Sequence, residues 1–284
     1  MTTLHAPAEM IDTHQHLWMM SERAYDWISP EFGPLYDDFG PDRVATEIVE
    51  AGVTGTVLVQ AADTYEDTFY MLSVAETMPT VLGVVAWAPL DRHDEARAAL
   101  DLYAASPMVK GVRCLTHGYE DPRWILGEEV NRTIALLAPR GLTLDLVSVT
   151  DGNLDTVATI AALHPELTVV LDHMAKPPIA SEGWEPWASL IAAVANQPNT
   201  VVKLSGLNTA SKPEWTVVDW QRYVDHVVEH FGPSRIMLGS DWPVSILAGD
   251  FVGVWQAQRE VIASLPVDQQ DEIFFRTARR VYAL

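Results

Sequence analysis

The chain has 284 residues, 48% of them hydrophobic, with 39 Asp and Glu against 18 Lys and Arg and a formal net charge of −21. This length allows one large domain or two ordinary ones, and the charge excludes a nucleic-acid or anionic-membrane partner, because phosphate binding needs clustered Lys and Arg. The single cysteine, Cys114, rules out a disulfide framework within the chain and any Cys-rich zinc module; it reads as a small apolar filler rather than a nucleophile.

Residues 1–9 carry neither a basic n-region nor an apolar h-region, so they read as a tail and not as a signal peptide. No stretch approaches the about 20 apolar residues of a membrane helix, and a soluble cytoplasmic protein is the expectation. Next comes Met10-Ile11-Asp12-Thr13-His14-Gln15-His16, an apolar strand ending in two histidines one residue apart. Strand side chains alternate faces, so His14 and His16 point the same way, with Cα atoms about 6.6 Å apart. Two imidazoles at that spacing can converge on one ion or one substrate oxygen; a polar strand end at the surface gives the same pattern. Residues 17–41 include Trp18, Tyr25, Trp27, Pro30, Phe32, Pro34 and Tyr36. A loop this long is usually functional or disordered. Its aromatic load predicts an ordered flap over whatever the histidines hold.

From residue 42 a period sets in. Residues 42–51 are amphipathic and helical, and Gly52 ends them. Residues 54–60 (TGTVLVQ) form a β-branched, buried strand. The alternation continues with helix 64–77, strand 81–87, helix 92–105, strand 109–115, helix 127–139 and strand 142–147. It runs on through helix 154–164, strand 167–173, helix 184–195, strand 200–205, helix 215–231, strand 235–240 and helices 251–264 and 268–282. The strands are near-continuous apolar runs, which suits a parallel sheet covered on both faces. Eight βα units predict an α/β fold, a (β/α)8 TIM barrel in a single domain spanning 1–284. A doubly wound open sheet competes, but no Gly-rich phosphate fingerprint follows the first strand.

Active sites of such barrels lie at the C-terminal ends of the strands, and polar residues gather there. His14 and His16 end the first strand and Gln60 the second. Arg113 lies near the end of the fourth, with His117 just beyond, and Asp145 toward the end of the fifth. Asp172 and His173 end the sixth, followed by Lys176; Lys203 sits inside the seventh; Asp241 follows the eighth in Gly239-Ser240-Asp241-Trp242-Pro243. Singly, each has a structural role open to it: a turn cap, an ion pair, a helix N-cap. Jointly, so many ligand-type ends are hard to obtain from packing alone. His117 either lines the pocket or is solvated.

In chain order, IDTHQHLW (11–18), GTVLVQA (55–61), VKGVR (109–113), VLDHMAKPPI (170–179), VVKLSGL (201–207) and RIMLGSDWPV (235–244) resemble the amidohydrolase superfamily, and within it the amidohydrolase-2 group of metal-dependent TIM-barrel hydrolases. The chain is similar to sugar-acid lactonases of the fuconolactonase and rhamnonolactonase kind and to pyrone-dicarboxylate lactonases. The resemblance implies hydrolysis of a small lactone, with one divalent ion, zinc or manganese, on His14, His16 and Asp241. Binuclear members carry a bridging Lys or Glu on the fourth strand, and Val112-Arg113-Cys114 offers none. Some members work without a tightly held metal. In the implied mechanism Asp241 is the general base, and His173 helps to stabilise the oxyanion. Gln60, Arg113, His117, Asp145 and Lys203 hold substrate hydroxyl or carboxylate groups, and Trp18 and Trp242 pack on the sugar ring. Two other readings are a non-oxidative decarboxylase of the same group and a non-catalytic ligand-binding barrel. The expected partner is a small-molecule lactone, with no nucleic acid and no membrane.

Overall fold

The computed structural model describes residues 4–116, 119–148 and 151–284. Eight parallel strands pair in chain order: β1 Ile11–Gln15, β2 Gly55–Val59, β3 Val81–Ala86, β4 Val109–Cys114, β5 Thr143–Val147, β6 Val169–Asp172, β7 Thr200–Leu204 and β8 Ile236–Leu238. The intervening helices are α1 Pro41–Ala51, α2 Tyr65–Thr77, α3 His93–Tyr103, α4 Glu128–Ile134, α5 Asp151–Leu163, α6 Trp187–Ala195, α7 Val217–Phe231 and α8 Phe251–Val261. This is the (β/α)8 barrel expected from the alternation of patterns. Local chemistry sets the helix ends. Pro41 opens α1, Gly52 closes it in the left-handed region at φ 77°, and Thr216 and Asp219 form a capping box on α7. Among the described residues no helix is long and apolar enough to cross a membrane.

Two expected helices differ in detail. The fourth stops at Ile134, and the chain continues into a separate 3-10 turn, Ala138–Arg140. Pro139 sits in that turn, and inside an α-helix it would remove a hydrogen bond. The C-terminal helix is not continuous: Val267–Asp271 and Thr277–Val281 flank a π-helical segment, Glu272–Arg276. It carries Tyr282 to the floor of the barrel.

Alternate strand residues fill two cores. Leu58, Val84, Val112, Leu146, Leu171 and Val202 belong to the outer core that packs against the helices. Ile11, Val57, Val59, Val85, Val170, Val201 and Met237 form an inner layer with Ala278 and Tyr282. Above this apolar floor lies a layer of buried charge. Lys203 Nζ is 2.7 Å from Asp145 Oδ2 and 3.1 Å from Asp172 Oδ1, and Arg113 Nε is 3.0 Å from Asp172 Oδ2. The Tyr282 hydroxyl donates to Asp145 Oδ2 at 2.6 Å. Asp145 and Lys203, expected to hold substrate, sit in this buried layer. Both are fully buried, and their polar atoms bind each other and their neighbours.

The barrel closes between β1 and β8 just beyond the strand ends. The Asp241 N–H donates to the His14 carbonyl at 2.8 Å, and the His16 N–H donates to the Trp242 carbonyl at 2.7 Å. The β1–β2 register shifts between Asp12 and Gln15. Strict alternation would place Ile11 and His14 on opposite faces. The irregularity lets Ile11 join the inner layer while His14 also turns inward, within 3.3 Å of Asp172.

Candidate active site

Three imidazoles converge on one carboxylate above the charge layer. The Nε2 atoms of His14, His16 and His173 lie 3.9, 3.6 and 3.8 Å from Asp241 Oδ1. His14 Nε2 and His16 Nε2 are 3.1 Å apart. The opposite nitrogen of each ring is held from behind. His16 Nδ1 bonds the Val59 carbonyl at 2.8 Å, and His173 Nδ1 bonds Ser205 Oγ at 2.9 Å. His14 Nδ1 lies between Lys203 Nζ at 3.2 Å and Asp172 Oδ1 at 3.3 Å.

The backbone is bent to deliver these groups. His173, Met174, Ala175 and Lys176 have φ of 53°, 50°, 56° and 48°, and Asp241 has φ 56°. Left-handed backbone costs a non-glycine residue of order 1–2 kcal/mol, and such strain clusters at functional sites. The run is held by the Lys176 N–H on the His173 carbonyl (2.8 Å) and by Trp187 Nε1 on the Met174 carbonyl (2.8 Å). Asp12 ties the two closing segments together, its Oδ1 accepting from the His14 N–H (3.1 Å) and the Ser240 N–H (2.9 Å). Burial pushes the Asp12 carboxyl up to about 6.

Gly239 permits the close approach of β8 to the first histidine. A Cβ there would lie 2.6 Å from His14 Cβ. Gly239→Ala is expected to displace His14 and to destabilise the fold by about 1–3 kcal/mol, the usual range for an overpacked core. Calorimetric melting and zinc titration check both effects.

Burial lowers the pKa of all three imidazoles: His14 well below its ordinary value, His16 below it, and His173 to about 4. They are neutral at neutral pH and carry a lone pair. Burial alone would raise the Asp241 carboxyl, but the surrounding His173, His16 and Lys176 side chains outweigh it and hold the group ionised, well below the usual carboxylate range. The donor set fits a divalent ion. His14, His173 and Asp241 each bring one ligand atom within 4.8 Å of the others, and buried Asp241 Oδ2 has no hydrogen-bond partner. Neutral imidazoles with a carboxylate are the ligands of mononuclear hydrolytic zinc sites, and rings braced from behind are typical of metal-binding histidines.

The site opens into a cavity of about 460 Å³, lined by His16, Asp63, Arg113, His173, Lys176 and Asp241 together with Trp27, Phe32, Ala61, Leu115, Val147 and Val244. That is the size of a small-molecule pocket. Of the polar residues singled out in the sequence, His16, His173, Arg113, Lys176 and Asp241 face it, and His14 lies buried against His16 and His173. Gln60 is buried behind the wall and donates to Asp63 Oδ1 at 3.0 Å. Trp18 and Trp242, expected to pack on the sugar ring, do not line the cavity. They belong to an aromatic file in which Trp242 meets Phe39 (5.5 Å), Phe39 meets Trp18 (5.3 Å), Trp18 meets Trp27 (5.6 Å) and Trp27 meets Phe32 (5.5 Å). Only the last two of these rings line the cavity. His117 lies outside the described residues. Buried Cys114 has its thiol pushed well up by burial, which suits filler and not a nucleophile.

The chain resembles known proteins in sequence and fold. The chain belongs to the Amidohydrolase family (Amidohydro_2), whose model matches residues 11–284. It is 38% identical over 249 residues to an L-fucono-1,5-lactonase of Burkholderia ambifaria, covering 87% of this chain and 85% of that protein. A second L-fucono-1,5-lactonase, from Burkholderia multivorans, is 28% identical and covers 96% of both. Among solved structures, an amidohydrolase of Burkholderia multivorans with bound zinc superimposes with a TM-score of 0.90 at 28% identity, covering 98% of this chain and 100% of that one.

Proposed function

We propose that this protein hydrolyses a sugar-acid lactone of the fucono-1,5-lactone kind. The observation that carries the reading is the convergence of three neutral imidazoles on the ionised Asp241 at the wall of a small-molecule-sized cavity, in a chain 38% identical to a lactonase. His14, His16, His173 and Asp241 supply the donors for one divalent ion, zinc in the structural relative. When bound, such an ion polarises the ester carbonyl and acidifies water.

The chain's own groups do the rest. Asp241 accepts the proton of the attacking water and returns it to the departing ring oxygen. The new C–O bond forms at the carbonyl carbon, the ring C–O bond breaks, and the hydroxy acid product releases one proton at neutral pH. Arg113 and Lys176 place positive charge on the wall where the oxyanion and then the product carboxylate develop. Trp27 and Phe32, from the aromatic 17–41 segment, cover the apolar face of the ring and exclude bulk water.

A panel of aldonolactones with a pH indicator tests the reading. Proton release is expected on a 1,5-lactone, with activity lost on dialysis against a chelator and restored by zinc. Absence of proton release on every lactone, with the metal-loaded protein, overturns it.

A further inference from the structure

We propose that Asp63 is the residue that reads the substrate's hydroxyl groups, and so sets specificity for a polyhydroxylated lactone ring. This inference rests on the lactonase reading above. Asp63 follows β2 and lines the same cavity as Asp241, His16 and Arg113. It belongs to the cavity wall.

The segment that carries it is held rigidly. The Ala61 and Ala62 N–H groups donate to Asp67 Oδ2 at 2.8 and 3.3 Å, and Trp27 Nε1 donates to the Ala61 carbonyl at 2.7 Å. Arg113 Nη1 donates to the Gln60 carbonyl at 2.8 Å, and the Thr64 N–H to the Ala62 carbonyl at 2.8 Å. Gln60 Nε2 then orients the Asp63 carboxylate through Oδ1 at 3.0 Å. A carboxylate accepts several hydrogen bonds and donates none, so the Gln60 bond leaves capacity for ligand donors.

The chemistry of the wall selects among ligands. A sugar lactone offers several hydroxyl donors, and neighbouring hydroxyls can both reach one carboxylate. Arg113 and Lys176 set positive charge against Asp63 and Asp241 on the same wall, so the selection rests on hydroxyl donors and not on net charge. Asp63 is thus a specificity residue that favours rings bearing hydroxyl groups over rings without them.

The test compares wild type with Asp63→Asn on L-fucono-1,5-lactone and on unsubstituted δ-valerolactone, alongside calorimetric binding of L-fucose as a ring with hydroxyls and no ester. Asn can still accept from Gln60, and a melting curve verifies folding. The hydroxylated lactone is expected to lose about 10- to 100-fold in kcat/KM, mostly through KM, the effect of a lost charge-assisted hydrogen bond. δ-Valerolactone should change less than about twofold, since a hydroxyl contact contributes nothing there. L-Fucose should bind the variant at least about tenfold more weakly. Equal losses on both lactones, or no loss on either, overturn the role of Asp63. If wild type opens neither lactone, the lactonase reading fails, and L-fucose binding alone then decides: unchanged binding overturns the inference and weakened binding sustains it.

Discussion

Asp241→Asn is expected to lower kcat by about 10³- to 10⁴-fold while the protein melts within a few degrees of wild type. Asn is isosteric, so the left-handed backbone at φ 56° and the Asp241 N–H bond to His14 survive. What disappears is the charge that three imidazoles face at 3.6–3.9 Å. Loss of a general base alone reaches 10²- to 10⁴-fold. Here the same side chain is also an anionic donor of the proposed metal site, so the upper part of that range applies, and zinc affinity should fall with it. Stopped-flow proton release on the lactone, with metal content measured on the same sample, reads both effects. Near-normal kcat in this variant would refute the assignment of the base.

Lys203→Met should produce the largest loss of stability. Lys203 is fully buried, and its ammonium touches two carboxylates, Asp145 at 2.7 Å and Asp172 at 3.1 Å. Removing one member of a buried ion cluster leaves the others uncompensated, which typically costs about 3–5 kcal/mol. For a chain of this size that is roughly 10 °C in Tm. The deficit has a definite pH dependence. Burial already raises Asp145, and without Lys203 it faces Asp172 across a low-dielectric gap. A carboxyl whose folded pKa is raised above its unfolded value contributes stability below the unfolded value and loses it as pH rises through the folded one. The gap in Tm between variant and wild type should therefore be smaller at pH 5 than at pH 8, and adding Asp145→Asn should recover part of it. A deficit independent of pH would argue against an electrostatic origin.

The barrel was legible because most of the strands are short apolar runs separated by helical patterns, a signal carried by residue order alone. The site was legible where chemistry coincides with a strand end: His14, His16, His173 and Asp241 are all ligand types at positions the fold directs to one mouth. Depth was not legible. Lys203 and Asp145 point inward as expected, but they lie beneath the cavity, and sequence periodicity reports the face of a strand and not the height along it. Ring direction was not legible either. Trp18 and Trp242 adjoin the site in sequence yet turn into the aromatic core, while Trp27 and Phe32 reach the cavity from the loop. Asp12 belongs to the Asp-Thr-His stretch and could have been noticed there; Asp63 sits in a loop with no periodic signal, and only the fold brings it to the wall.

The closure between β1 and β8 has a kinetic consequence. The carboxylate of Asp12 and the amide of Ser240, which hold the site together, are 228 residues apart in the chain. Each of the other strand pairings in the barrel joins successive strands, so those contacts bridge far shorter loops. Long-range contacts form slowly, because the loop-closure entropy has to be met before the contact repays it. The proposed catalytic residues thus sit at the seam whose closure bridges the longest loop. Their geometry depends on completion of the whole ring, because Asp12 and Ser240 meet only across that seam.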